Sequence, residues 1–507
     1  MPFLFNVNMR YISIILVSLL FSVNLIAQTI EEAIRLSNTN VGATARVLGV
    51  GGAFTSLGAD FSSNYLNPAG IGMYRSSEYN ISPGFQIFNA NSTYRGNAEK
   101  IGKNNFNIGQ FGMVINRDRG GKSKIKTINY GIGVNRTNNY NQTQYYEAFN
   151  NEHSIADFFI EDANGNTVSD INASQGSYAN LALSTGIIRP TGVSPTLYNS
   201  TLNFTEDTSG VDLGLLQSET ITSERAFDSF NLSFGANYND KLYFGASVGL
   251  PNYRFSKQYD YYENDTEGNV PQLTEINLYI AETTDAAGVN LSFGGIYRAT
   301  DNIRVGLSFQ SPTVLSFESN FQLLLISVIE DYPNPGEVSE FSQTPGEGLL
   351  LYTARTPMHI NFGVSYLNRK GFLSADVEYV PHKNTIYTIE DNGIQEIIDY
   401  QNDLNNQITS DLSNTINLRI GGECVIEKFR LRAGYNIQQS PTALKSAKQT
   451  FSLGGGIRGN SIYADVVGLY GIYNESYLPY TLSNQTVESV EFKNSIINIV
   501  STIGLKF

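Results

Sequence analysis

Few side chains in this 507-residue sequence are spaced for covalent or metal chemistry. The three histidines, His153, His359 and His382, stand far apart and form neither an HxxxH nor an HExxH pair. The lone Cys424 excludes an intramolecular disulfide and a CxxC metal site. No GxSxG elbow, P-loop or calcium-loop pattern occurs, so neither catalysis nor a metal or cofactor is expected. What stands out is charge and apolar surface in unusual places. Arg419, Arg430, Arg432, Arg458 and Lys506 fall on one parity of alternating segments near the C-terminus. If that parity faces a closed interior, these cations need partners, with Asp465, Glu31, Glu32 and Asp60 as candidates. They could instead attract a carboxylate headgroup. Apolar runs at Ile155–Ile160, Val211–Leu216, Phe321–Ile329 and Gly348–Tyr352 sit inside stretches that otherwise read as long polar loops. Such runs either pack a small core among the loops or offer a contact surface for a hydrophobic ligand, led by Phe321, Leu323, Leu324 and Leu325.

The elements that must position these residues are strands. In Ser495–Phe507 one parity carries Ile497, Ile499, Ile503, Leu505 and Phe507, and the other Asn498, Thr502, Gly504 and Lys506. One greasy face and one polar or small face suit a wall between lipid and a polar lumen. The pattern recurs along the chain and predicts about fourteen strands, the first starting near residue 78 and the second near 106. Tight turns, such as Asn239-Asp240 and Gly459-Asn460, alternate with long links over 89–105, 146–225, 318–355 and 388–411. Short turns at one rim and long loops at the other are the signature of an outer-membrane barrel, and an even strand count returns both ends to the periplasmic side. Tyr79, Tyr130, Tyr297, Tyr366 and Tyr463 are candidates for interfacial girdles, since Trp is absent. The Gly454–Gly456 cluster lies within a strand, where it eases curvature or close packing.

Composition narrows the class further. A net charge of −14 with 16% charged residues leaves no basic face for nucleic acid. Arg10 followed by the apolar run Tyr11–Ala27 reads as a secretory signal cut near Gln28. Beyond it no apolar run approaches the length of a membrane helix. The expected partners are therefore outer-membrane lipid and lipopolysaccharide.

Between the signal and the first strand lies Ala45–Tyr74, ARVLGVGGAFTSLGADFSSNYLNPAGIGMY, rich in glycine and small residues and without a sustained hydrophobic period. Pro68 pushes Asn67 toward an extended conformation, Asn67 can satisfy local backbone groups, and Ala69-Gly70 permits close approach to a wall. The order of its features, a GGAF turn (Gly51–Phe54), an acidic residue (Asp60), then Asn67-Pro68-Ala69, resembles the N-terminal plug of the FadL/TodX family. Those are outer-membrane channels for long-chain fatty acids and other hydrophobic molecules. The resemblance implies an all-β transmembrane antiparallel barrel with a small plug in its lumen, and a gating role for Asp60, Asn67, Pro68, Ala69 and Gly70. It also implies passive uptake of a hydrophobic small molecule, gathered by the outer loops and released through a gap in the wall. The expected organisation is a signal over 1–27, a plug with a short helix over 28–77, and the barrel over 78–507. Two other functions fit the same fold: a protein-binding barrel in adhesion or secretion, and haem uptake with His153 of the longest loop as iron ligand. An energised receptor would need a larger plug and about twenty-two strands.

Overall fold

The computed structural model describes residues 23–507 apart from 39–41, 121–122, 175, 201–213, 267–272, 331–337, 345–347 and 391–392. The expected signal segment lies outside these residues except for 23–27, whose backbone continues into a helix, Val23–Ser37. Part of the apolar run Val211–Leu216 also lies outside them.

Fourteen antiparallel strands close into one barrel. In chain order they are β1 Glu78–Tyr94, β2 Asn97–Asp118, β3 Ile125–Asn139, β4 Ala226–Tyr238 and β5 Leu242–Asn264. β6 Leu273–Arg298, β7 Ile303–Gln310, β8 His359–Asn368, β9 Gly371–Val380 and β10 Thr415–Ile426 follow. β11 Phe429–Gln438, β12 Lys448–Arg458, β13 Ile462–Tyr477 and β14 Val490–Lys506 complete the wall. Each strand pairs with its successor, and β14 pairs with β1, Ile81 opposite Ile503. Closure leaves no sheet edge in the lipid, which is what an apolar solvent demands of the backbone. Alternation then sorts the side chains. Tyr79, Ile81, Phe85, Ile416, Leu418, Ile420, Phe429, Leu431, Ile503 and Leu505 are exposed on the outer face. Their inward neighbours Asn80, Ser82, Asn417, Arg419, Arg432 and Thr502 are buried in the lumen.

One rim carries tight turns. At Asn239-Asp240 both residues have positive φ, 55° and 56°, the primed geometry that matches strand twist. Tyr79 stacks on the terminal Phe507 at this rim, with ring centroids 5.0 Å apart. Tyr463 departs from the expected girdle: it is buried and donates to Glu78 Oε1 at 2.6 Å inside the barrel.

The opposite rim differs from expectation. No long loop spans 89–105. β1 and β2 pair from Glu78–Val114 to Tyr94–Asn97, with one bulge at Ser82-Pro83, and join through Arg95-Gly96, whose φ values of 45° and 82° again make a tight turn. The 318–355 link is also mostly strand. Val314–Glu330 pairs with the outer half of β6, Gly348–Arg355 pairs with Val314–Glu330, and Ile386–Ile389 pairs with Gly348–Arg355. These segments continue the wall strands β7, β8 and β9 outward, interrupted near Pro312, Pro357 and Pro381 at a common height. Proline has no N–H for a ladder, so each strand breaks there. The 146–225 link contributes strands Gln142–Asn150 and Leu215–Glu224, the latter pairing with the outer half of β5. Its described residues also form three short helices, Ile155–Ala163, Val168–Ala173 and Tyr178–Ser184. The first two start in capping boxes, Ser154 with Asp157 and Thr167 with Asp170.

Candidate functional site

The plug crosses the lumen between the N-terminal helix and β1. Thr44 caps the helix Ala45–Gly49 and donates its hydroxyl to the Asp60 carboxylate at 2.9 Å. Asp60 also accepts from Ser62 N at 3.0 Å, and Ser62 Oγ donates to Gln110 Oε1 on β2 at 3.0 Å. Asp60 is thus a buried internal tie between the two halves of the plug. Asn67 takes the extended conformation that the following proline favours, with φ −155° and ψ 100°. Its Oδ1 accepts from Ala69 N at 3.1 Å. Its Nδ2 donates to Thr55 O at 2.6 Å and reaches Leu307 O at 3.4 Å and Gly295 O at 3.5 Å in the wall. Pro68 and Ala69 begin a 3-10 turn over Pro68–Met73, and Gly70 lies directly against Ser63.

The seat for this plug is made of wall glycines. A Cβ on Gly306 would lie 2.2 Å from Thr55 O, and one on Gly434 would lie 2.1 Å from Gly51 N. Gly235, Gly245 and Gly421 meet plug backbone in the same way, and Gly294 lies against the Asn67 side chain. No side chain fits where backbone meets backbone. The sequence signal was present, a glycine in the middle of most alternating strands, but only the fold shows that they share a level.

The five basic residues divide. Arg432 and Arg458 both reach Asp465, at 2.7 and 2.8 Å, as expected. The plug acids are not their partners. Glu423, one strand away, takes Arg432 at 2.7 Å, Arg430 at 3.8 Å and the plug's own Arg46 at 3.9 Å. Lys506 stands over the Tyr463 ring, 5.6 Å from its centroid. Arg419 lies apart, in a buried group with Glu378, His359 and Asn361. Wall acids are the nearer partners because they sit one or two strands away at the same height.

Glu31 and Glu32 belong to the outer half of the lumen. The N-terminal helix buries Ala33, Ile34 and Leu36 against Tyr253, Phe255, Phe317, Tyr352 and Tyr387, and against the loop helix Gln395–Asp411. Glu31 pairs with Lys257 at 2.8 Å and Arg35 at 3.4 Å. Burial would raise its pKa, but Lys257, Lys445 and Arg35 together outweigh that and hold it at about 2. Glu32 accepts from Tyr352 Oη at 2.7 Å and Tyr387 Oη at 2.9 Å. Burial dominates here and pushes its pKa up to about 7, with Arg35 opposing and Glu282 adding to the rise.

The apolar loop runs do build a core. Leu325, with Leu323 packed beside it, joins Ile155, Phe159, Leu181, Ile188 and Tyr480 under the outer helices. Phe321 and Leu324 are half-buried on the same strand. His153 is buried as well, its ring Nδ1 2.8 Å from Tyr480 Oη and 3.2 Å from Asn150 Nδ2.

One wall junction is incomplete. β2 pairs with β3 only from Gln110–Asn135 to Asp118–Thr127, whereas its outer half, residues 97–109, pairs with β1 alone. β3 leaves β2 at this level, and its extension Gln142–Asn150 lies behind β1 and β2, burying Tyr146 and Ala148 against Phe88 and Phe492. Asn139 bridges the junction, donating to Asn105 Oδ1 at 3.0 Å and Gln86 Oε1 at 3.3 Å. A cleft with about 170 Å³ of free space opens beside it, with Ala43 and Leu48 of the plug on one side and Phe85, Asn107, Leu469 and Ile496 among its wall residues.

No protein-family model matches the chain, and no curated protein matches its sequence. Solved structures do. A Pseudomonas aeruginosa FadL homologue aligns over 92% of this chain and 98% of its own, with a TM-score of 0.56 and 11% identity. The Pseudomonas putida toluene transporter TodX aligns over 92% and 99%, with a TM-score of 0.51 and 15% identity. At such identities the likeness shows the fold, a plugged barrel of the kind the Ala45–Tyr74 motif resembles. That fold and the lipid-facing belt make the chain a bacterial outer-membrane barrel.

Proposed function

We propose that this barrel of the FadL/TodX fold is a passive channel for small hydrophobic molecules, gated by the Ala45–Tyr74 plug, with long-chain fatty acids as the first substrate to test. The supporting observation is the β2–β3 junction. A closed barrel should be laddered throughout, yet here the ladder stops at Gln110 and a cleft against the plug lies beside the gap. The gap gives a hydrophobic molecule a lateral exit into the bilayer, so it need not pass the polar periplasmic end of the lumen. Transport, with no chemical step, matches a lumen whose Arg419, Arg432 and Arg458 are engaged in ion pairs.

The test is to close the gap. Asn105→Cys and Asn139→Cys, in a Cys424→Ser background, place two thiols across the junction for a short, reducible bis-thiosulfonate linker. Uptake of labelled oleate by expressing cells should fall at least about tenfold on linking, and return on reduction. Uptake unchanged by linking removes the lateral route. A protein-binding barrel is the competing reading, favoured by the folded helical cap over β5 and β6. If deletion of the chain spares oleate uptake but blocks assembly of a surface protein, that reading replaces the channel. Haem uptake fits less well, because His153 is buried inside the cap, away from a haem at the surface, with its Nδ1 against Tyr480 and Asn150.

A further inference from the structure

We infer that the periplasmic rim of the barrel is an interaction surface for anionic phospholipids of the inner leaflet. The chain's net charge of −14 hides a segregation of charge along the barrel axis. The outer segments carry many of the acids, with Glu152, Asp170, Glu390 and Glu491 exposed. The tight turns at the other rim are basic. Arg117, Arg119 and Lys124 are exposed between β2 and β3, and Lys241 between β4 and β5. Arg369 and Lys370 are exposed between β8 and β9, and Lys428 between β10 and β11. This surface goes beyond the hydrophobic passage and does not depend on it.

The turns are neighbours along the rim. Asn239 N donates to Lys124 O at 2.8 Å, Arg298 N to Lys241 O at 2.8 Å and Leu367 N to Asn302 O at 2.7 Å. Val425 N then donates to Lys370 O at 2.7 Å and Arg458 N to Lys428 O at 3.0 Å. Each turn is tied to the next, so the cations form one arc from β2 to β11. The acids of the rim do not cancel it. Asp240 pairs with Arg75 at 2.8 Å and Asp301 with Arg298 at 3.0 Å. Asp118 turns back on its own loop and accepts from Gly120 N at 2.9 Å, which leaves Glu427 beside Lys428. Among the described residues none of the exposed cations of the arc forms an ion pair.

Their height selects lipid over a soluble partner. The lipid-facing surface ends at this rim on Tyr238, Tyr366 and Phe429, all exposed. Lys241 and Arg369 lie three residues beyond Tyr238 and Tyr366, and Lys428 is next to Phe429. Three residues reach at most about 10 Å, and the headgroup layer is about 5–8 Å deep on each side of the hydrocarbon. The cations therefore stand level with the lipid phosphates, and their long stems let the charged heads reach them from the apolar belt. A phosphate takes charge-assisted hydrogen bonds from guanidinium and ammonium groups alike. A zwitterionic headgroup brings an ammonium of its own, which the arc repels. The arc thus favours a lipid of net negative charge, such as phosphatidylglycerol.

The chain supplies its own reporter. Cys424, its only cysteine, is exposed beside the Lys370 turn and takes a thiol-reactive fluorophore there. The labelled full-length barrel is reconstituted in phosphatidylcholine vesicles. It is titrated with phosphatidylglycerol or phosphatidylcholine bearing the same nitroxide high on one acyl chain. Quenching should show phosphatidylglycerol preferred at the rim by at least about fivefold, the weight of one basic residue at an anionic surface. Arg369→Gln, Lys370→Gln and Lys428→Gln together should bring the preference below about twofold. So should 1 M salt with the unaltered barrel, where the Debye length falls to about 3 Å. Heat-modifiable migration verifies the folded barrel, and the salt series is the measure if the triple variant fails to fold. Equal quenching by the two lipids, or a preference that survives the substitutions or the salt, overturns the surface. Equal quenching together with sedimentation of the unaltered barrel, but not the variant, on purified peptidoglycan would make the rim a cell-wall surface instead. No transport is measured, so this reading and the lateral passage fail separately.

Discussion

Replacing Glu32 by glutamine should abolish a pH dependence in the docking of the N-terminal helix. Glu32 is buried against the outer sheet and its pKa is raised from 4.5 to about 7 when docked. The groups facing it are Arg35 on its own helix, Tyr352 and Tyr387 on the sheet, and Glu282 on β6. An undocked, solvated Glu32 loses its proton near pH 4.5, whereas the docked one keeps it to about pH 7. Below 4.5 both forms are protonated and nothing is lost. Between these values docking weakens as pH rises, and above 7 the docked helix bears the full cost of a buried carboxylate. The difference of about 2.5 units corresponds to ~3 kcal/mol at ~1.4 kcal/mol per unit, or a few hundredfold in the opening equilibrium. Hydrogen–deuterium exchange of the amides of residues 30–38, corrected for intrinsic rates, should show that loss of protection between pH 4.5 and pH 8. A glutamine side chain keeps an acceptor for the tyrosine hydroxyls but has no proton to lose, so E32Q should be flat across the range. Equal protection of the wild-type helix at both pH values would refute the reasoning. So would an E32Q protein that retained the wild-type slope.

Two further expectations concern the plug and its charged end. Asn67→Ala removes the donors to Thr55 O and the wall carbonyls together with the acceptor for Ala69 N. A loss of about 1–3 kcal/mol per stranded buried group should loosen the plug without opening the barrel. Faster proteolysis of the plug and larger conductance in planar bilayers would report this, and conductance equal to wild type would count against a gating role. Arg432→Leu leaves Asp465 with Arg458 alone and weakens the hold on Glu423. Breaking a buried pair costs about 3–5 kcal/mol, read as a lower unfolding midpoint that 1 M salt leaves in place; a midpoint within a degree of wild type would contradict it.

The legible half of this fold is the half that crosses lipid. There the outer side chains must be apolar and the inner ones polar or small, so Ile416, Leu418 and Ile420 announce themselves against Asn417, Arg419 and Gly421. Above the belt both faces meet water or polar neighbours, and alternation fades. β2 from Asn97 to Asn105 reads as loop for that reason, with Lys100, Gly102 and Asn104 on its outer face. The two-residue Arg95-Gly96 turn was the local clue. The 318–355 segment misleads in the opposite way: one face of its strands is buried, Leu325 and Ile329 under the cap and Tyr352 and Ala354 against the N-terminal helix, while Leu349 and Leu351 on the other face are apolar too, so the strands read as continuous apolar runs. Asn67-Pro68-Ala69 was readable from local backbone chemistry, and its reach to Gly295 and Leu307 was not. The partnership of Arg430 and Arg432 with Glu423 needed strand register, which places Glu423 directly opposite Arg432. A one-residue slip would have turned that acid toward lipid.

The glycine seat also acts as a gauge. Barrel diameter grows with strand number, and outer-membrane barrels of this type carry an even number of strands, so they change size in steps of two. The plug touches β4, β5 and β7 on one side of the lumen and β10 and β11 on the other through its backbone, and β6 through the short Asn67 side chain. At the backbone contacts it has no side chains with which to span a wider gap, and Asn67 is too short to do so. Adding a hairpin would lift the wall away from it and open a permanent hole, and removing one would leave it no room. Hairpin duplication is therefore closed to this chain as a route to a larger pore unless the plug is enlarged in the same step, while the outer strands and helices above the prolines are free to lengthen.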